Sequence, residues 1–168
     1  KVIEFKLRPN VLFHSGDRFT AADVVFSQQR MVEKSPQYKN WMRRVTRVEA
    51  VDDETVRFVF SSPDSTFFSR VGPIASKAYH DRVGEAEFTT KPVGTGAYKF
   101  AGRKLGQYLD LEAFDRYHDG PLGKPKIRRI RYVFVPDNAA RLAMLRSGEA
   151  DIVIDTPYHA VKQIKQLG

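Results

Sequence analysis

Residues 13–26 read Phe13-His14-Ser15-Gly16-Asp17-Arg18-Phe19-Thr20-Ala21-Ala22-Asp23-Val24-Val25-Phe26, and this stretch organises the chain around it. Gly16 can take a positive φ and Asp17 can bond its own backbone, so His14 to Asp17 predict a turn. Thr20 stands where an N-cap belongs, with Asp23 three residues on in capping-box register. A helix is therefore predicted from Ala21 to about Val32. Its apolar positions are only loosely amphipathic, which predicts a helix flanked on two sides.

Working outward, Val2 to Leu7 alternates apolar and polar residues and predicts a strand ended by Pro9-Asn10. Val45–Val51 and Thr55–Phe60 alternate as well, and the acidic turn Asp52-Asp53-Glu54 joins them as a hairpin. Pro63-Asp64-Ser65 caps a short helix carrying Phe67 and Phe68, and another short helix runs from Ser76 to Arg82 and stops at Gly84. A second informative stretch follows, Lys91-Pro92-Val93-Gly94-Thr95-Gly96-Ala97-Tyr98-Lys99-Phe100. It reads as a glycine-hinged loop feeding a strand over Ala97–Ala101, with a further strand over Tyr108–Ala113. A proline- and glycine-rich excursion from Asp115 to Pro125 leads to a strand over Ile127–Val135. Pro136-Asp137-Asn138 caps a helix over Ala139–Arg146 that Gly148 closes. Ile152-Val153-Ile154 is expected as a short buried strand, and Thr156-Pro157 opens a last helix reaching Leu167. The sum is a mixed α/β arrangement with largely antiparallel sheets, and Thr89 to Gly96 is the best internal boundary.

At 168 residues, 42% hydrophobic and 29% charged, the composition is that of a globular chain with a real core. No apolar run approaches the ~20 residues of a spanning helix, so no transmembrane segment is expected. Lys1–Arg8 has a strand pattern rather than that of a secretory leader, and the last residues stop in or just after a helix; a piece of a larger protein is expected. Cysteine is absent, which excludes thiolate metal sites, thiol nucleophiles and disulfides. The formal charge of +8 raises a basic interaction or nucleic-acid-binding module as an alternative. Arg43, Arg44 and Arg47, then Lys124, Lys126, Arg128, Arg129 and Arg131, form the local clusters. In residues 126–134 the basic positions partly alternate with apolar ones, which reads as a strand with a solvated outer face, and no nucleic-acid motif accompanies them.

Catalytic and metal motifs are missing. The four histidines (His14, His80, His118, His159) lack ligand spacing, so neither a metal site nor a cofactor is expected. Residues 115–120 lack the alternating acids of a calcium loop, and there is no Gly-x-Ser-x-Gly elbow. Gly94-Thr95-Gly96 fails as a phosphate cradle because a strand, not a helix, follows it. The glycines either turn a corner or line a cleft between two lobes. Tyr38 and Trp41 fall in an expected polar loop, as core-packing rings or as part of a binding surface.

The stretches 13–26 and 91–100, followed at the proper spacing by Leu145-Arg146-Ser147-Gly148-Glu149-Ala150-Asp151-Ile152-Val153, resemble the signature stretches of the peptide/nickel family of solute-binding proteins that serve ABC importers. The resemblance covers nearly the whole chain. It implies a partial fold of the type II periplasmic-binding-protein kind, with residues 1–92 as a small lobe and 93–168 as part of a main lobe. The amino-terminal strand and the remaining lobe are absent.

It also implies binding rather than catalysis. A peptide or related small solute is captured in a cleft, and the closed form docks on permease subunits in the membrane. Residues implied at the cleft are Gly94, Thr95, Gly96 and Tyr98, with Tyr38 and Trp41 behind them. The setting implied is periplasmic or extracellular, with a monomeric full-length protein and no nucleic-acid partner. Two departures bear on ligand class: alanine stands at Ala97 where proline is usual, and Phe114-Asp115-Arg116-Tyr117-His118 replaces a pattern with asparagine and a Tyr-Trp pair. Members bind peptides, nickel complexes, sugars, opines or heme.

Overall fold

Thr55-Val56-Arg57-Phe58-Val59-Phe60 alternates so strictly that its two faces separate cleanly: Val56, Phe58 and Phe60 are buried while Arg57 and Val59 stay partly exposed. In a computed structural model, which describes residues 1–120 and 123–164, this strand is the centre of the first sheet. β1 (Val2–Lys6) and β2 (Val45–Asp52) flank β3 (Thr55–Phe60), both antiparallel. The register sets Glu4 and Glu49 opposite Arg57, whose guanidinium bonds both carboxylates at 2.7 and 3.1 Å. A cross-strand charge ladder thus covers the outer face while aromatics fill the inner one.

That inner face is closed by rings. Phe67, in a short 3₁₀ turn over Phe67–Ser69, packs on Phe58 and Phe60 with centroids 5.0 and 4.9 Å apart. Each such buried phenylalanine contributes about 1.5–3 kcal/mol. α1 (Ala21–Lys34) lies against β2 and β3 on one side and α3 (Lys77–Thr90) on another, as its loose amphipathicity predicts. The capping box forms, with the Thr20 N–H donating to Asp23 Oδ2 at 2.8 Å. Asp23 is buried and its other oxygen accepts from the Lys77 N–H at 2.8 Å, so one carboxylate ties together the starts of two helices.

Three expectations are corrected. The loop expected around Tyr38 and Trp41 is a helix, α2 (Pro36–Trp41), because the Ser35 side chain caps it and Pro36 occupies the first turn. The helix expected to stop at Gly84 only kinks there, at φ 76° and ψ 169°, and resumes to Thr90. Contacts from α1 hold the second half in place: Arg30 pairs with Glu85 at 2.7 Å and lies over the Phe88 ring at 4.9 Å. Ile152–Ile154 is not a buried strand; Ile152 and Ile154 are 78% and 64% exposed, with no ladder partner among the described residues.

The second sheet has the order β4 (Tyr98–Lys104), β5 (Tyr108–Ala113), β6 (Arg129–Val133). Ala113 N–H bonds Arg128 O while Phe134 N–H bonds Gln107 O, so β5 and β6 run antiparallel. α4 (Asn138–Ser147) starts on an Asp137 cap and ends at Gly148 in the left-handed region, as the sequence predicts. A 3₁₀ turn over Tyr158–Ala160 leads into α5 (Val161–Ile164), and the stretch expected to continue to Leu167 lies outside the described residues.

The chain divides into two compact units, residues 1–100 with 111–129, and residues 101–110 with 130–168. The first carries the aromatic core. In the second, α4 buries no residue and Tyr132, Val133 and Phe134 are exposed. Within it, Arg131 pairs with Asp110 at 2.6 Å and lies over the Tyr108 ring at 4.4 Å.

Candidate functional site

The glycine crossover is not a free hinge; a histidine from the first signature stretch clasps it. Phe13 is wholly buried and fixes the start of the His14–Asp17 turn, with the Phe13 N–H donating to Asp17 O at 2.8 Å. Gly16 takes φ +91°, and a Cβ there would stand 3.1 Å from Arg116 Nη2. Only glycine fits without strain. The His14 backbone N–H donates to Gly94 O at 2.8 Å. Its Nδ1 accepts the Gly94 N–H at 3.2 Å, and its Nε2 lies 2.9 Å from Gly96 O. A carbonyl only accepts and an amide N–H only donates, so Nε2 carries the proton and Nδ1 is bare. The clasp therefore uses a neutral imidazole.

The surroundings favour that state. Burial of the ring holds the His14 pKa below its ordinary value of 6.5, and the charge of Lys99 pushes the same way, against the opposing bond to Gly96. The Phe114 ring meets the imidazole edge-on, centroids 5.0 Å apart, and the Phe114 N–H bonds Ala97 O at 2.8 Å. Lys99 itself pairs with Glu112 at 2.8 Å. Arg82 forks onto Asp17 at 3.2 and 2.9 Å, and those bonds hold the Asp17 carboxyl below the usual range. The turn, the crossover and the start of β5's outgoing loop form one hydrogen-bonded assembly.

Of the residues expected at a cleft, Gly94, Thr95 and Tyr98 are partly buried and Gly96 is exposed. The clasp spans Gly94 to Gly96, and Tyr98 opens β4 two residues on. Tyr38 is 7% exposed in the core, its hydroxyl donating to Gln28 Oε1 at 2.5 Å and accepting the Gly72 N–H at 3.3 Å. Burial raises its pKa. Trp41 is 42% exposed at the end of α2, beside Arg43, Arg44 and Arg70. Neither ring shares a hydrogen bond or ring contact with residues 94–98. His14, Phe114 and Arg116 were missed as partners of the crossover. The signal was present, since a histidine opening a glycine turn is a side chain able to both accept and donate.

Nothing in this assembly has the geometry of a nucleophile with its base, and no group of acidic, histidine or cysteine side chains among the described residues could hold a metal ion. No helix among the described residues is long and apolar enough to cross a membrane. What the assembly offers is a rigid backbone wall with amides and carbonyls in fixed places.

Comparison with known proteins places this architecture. Residues 1–168 match the family of bacterial extracellular solute-binding proteins, family 5, middle region, and the chain belongs to that family. The glutathione-binding protein GsiB of Pectobacterium atrosepticum is 31% identical over 171 residues, covering 96% of this chain and 32% of that protein. Heme-binding protein A of Haemophilus influenzae is 31% identical over 177 residues, covering 89% of this chain and 32% of that protein. Among solved structures, the periplasmic binding protein DppA of Helicobacter pylori in complex with the peptide STSA superposes with a TM-score of 0.88 at 28% identity, covering 98% of this chain and 37% of that one. The chain thus spans about a third of the length of these relatives.

Proposed function

We propose that this chain is the part of an importer's solute receptor that carries one wall of the binding cleft and the crossover between its lobes. The receptor captures a peptide or related small solute and hands it to a membrane permease. The observation that carries the reading is the clasped crossover: three contacts from His14 hold Gly94–Gly96 rigid where a tight backbone wall must meet a ligand. A preorganised wall of backbone donors and acceptors serves peptide-like solutes because it matches their repeating amide groups whatever their side chains.

In this reading residues 1–92 act as the small lobe and residues 93–168 as part of the main one. Gly94, Thr95, Gly96 and Tyr98 face the solute. Tyr38 supports that lobe from its core, and Trp41 serves a separate surface. The exposed apolar residues Tyr132, Val133 and Phe134 are the seat for further polypeptide of the receptor, which relatives have in about three times this length. The receptor works outside the cytoplasmic membrane as a monomer, and binding rather than catalysis is its role. The basic-module alternative loses ground because much of the positive charge is paired, as in Arg57 with Glu4 and Glu49, Arg82 with Asp17 and Arg131 with Asp110.

Hydrogen–deuterium exchange on the parent-length receptor, with and without a mixture of short peptides, tests the assignment. Protection of residues 93–98 on peptide addition supports it. A peptide that raises the melting temperature yet leaves 93–98 unprotected removes the crossover from the cleft.

A further inference from the structure

Outside the clasp, one hollow in the first compact unit combines features that packing alone does not require. Trp41, the chain's sole tryptophan, ends α2 and stays 42% exposed. Around it, Arg43, Arg44, Asp64, Ser65, Thr66 and Arg70 line a half-enclosed cavity of about 270 Å³. Three guanidiniums face one carboxylate, so the hollow carries an excess of two positive charges.

The arginines are held rather than loose. Arg70 Nη1 donates to Trp41 O at 2.9 Å, and its Nη2 pairs with Asp64 at 3.0 Å. Arg44 Nη1 donates to Pro63 O at 3.1 Å, and Arg43 Nη1 reaches Asn40 Oδ1 at 3.4 Å. Asp64 is itself committed: its Oδ1 accepts from the Thr66 N–H and hydroxyl at 3.1 and 2.8 Å as well as from Arg70, and its side chain is only 5% exposed. It neutralises one arginine and leaves two. A guanidinium has five donors in a fixed fork, so Arg43 and Arg44, each engaged once, keep donors for a further acceptor. An indole face beside fixed guanidiniums is suited to a flat group bearing an oxyanion: the ring takes the plane and the forks take the charge.

We propose that the Trp41 hollow binds a small aromatic carboxylate, with the ring on Trp41 and the carboxylate on Arg43 and Arg44. The size fits one ring and one charged group, not a peptide. The site is independent of the cleft reading, because it shares no residue with the clasp apart from belonging to the same compact unit.

Benzoate is the probe. Calorimetric titration of the 168-residue chain measures affinity, and the indole N–H signal of Trp41, the only one in the spectrum, locates the binding. Saturable binding that shifts this signal is expected, weakened roughly tenfold or more by Arg44→Gln and by Trp41→Leu, given the worth of a charge-assisted hydrogen bond. Arg43→Gln, at a more exposed position with a single long bond, gives the same readout should Arg44→Gln disturb the fold. Inorganic phosphate binding as tightly as benzoate would show a mere point-charge attraction and overturn the proposal. So would an unshifted indole signal, the absence of saturation, or unchanged affinity in Arg43→Gln.

Discussion

His14 and Gly94 are joined twice in opposite senses: the histidine's backbone N–H donates to Gly94 O at 2.8 Å, and its ring Nδ1 accepts the Gly94 N–H at 3.2 Å. Both polar groups of one glycine are satisfied by one residue 80 positions earlier in the chain. His14→Phe keeps a ring against Phe114 and discards both ring nitrogens. It is expected to cost about 1–2 kcal/mol, the worth of leaving the Gly94 N–H without a protein partner. Urea unfolding measures this, and a loss smaller than the error would show that the ring bonds are dispensable.

The same relationship carries a pH dependence. The His14 pKa is lowered in the folded chain, chiefly by burial. The unfolded chain therefore binds a proton at a higher pH than the folded one does. Stability from this group is full above its ordinary value of 6.5 and is lost as pH falls through that value towards the depressed folded one. His118 is lowered as well, by burial and by Arg8, and contributes with the same sign. Unfolding free energies at about pH 7.5 and about pH 5.5 should differ less in His14→Phe than in the parent. His118→Gln separates the second contribution, and an unaltered slope in His14→Phe would dismiss the clasp as its source.

Gly16 offers a steric test. At φ +91° with Arg116 Nη2 3.1 Å from the Cβ position, Gly16→Ala meets backbone strain and a close contact together. A loss of about 1–2 kcal/mol is expected from the backbone alone. Arg116→Ala in the same background should recover only the contact part, which thermal melting of the double variant reads out.

Asp23 caps two helices, so its removal should exceed an ordinary cap loss. Asp23→Ala strips the acceptor from the Thr20 and Lys77 N–H groups at once. About 2–4 kcal/mol is expected, the sum of a lost cap and an orphaned amide. Thr20→Ala, which leaves the Asp23 carboxylate in place, should cost less than half of that. Equal losses in denaturant titrations would mean that the bond to Lys77 adds nothing.

Phe67 closes the inner face of the first sheet and is 2% exposed. Phe67→Ala is expected to cost about 3–5 kcal/mol through lost burial and a residual cavity. Phe68, next to it and 66% exposed, should tolerate the same change with little loss. Matched melting temperatures of the two variants would refute the assigned core.

What the sequence discloses and what it hides follow from range. The β2–β3 hairpin, the Thr20–Asp23 box and the Asp137–Gly148 helix are legible because alternation, caps and glycine ends are local chemistry. Asp23's second bond, to Lys77, is invisible because its partner lies 54 residues away. The same holds for the clasp: His14 stands out as a turn residue, but nothing local says that Gly94 receives it. Gly84 misleads because a positive φ usually ends a helix, and only the tertiary grip of Arg30 on Glu85 and Phe88 lets it resume. Ser35-Pro36 was a helix start in plain view, overlooked because α2 is only six residues long and lacks a periodic stripe. Ile152–Ile154 carries strand propensity, yet propensity supplies no neighbouring ladder.

Native mass spectrometry of the parent-length receptor, isolated under mild conditions and sprayed without denaturant, bears most directly on the proposal that this chain belongs to a solute trap. A stoichiometric small-molecule adduct, released on gentle activation and identified as a peptide or related solute, is the outcome expected. A receptor that keeps only its bare mass, before and after incubation with short peptides, would leave the clasped crossover a structural corner and nothing more.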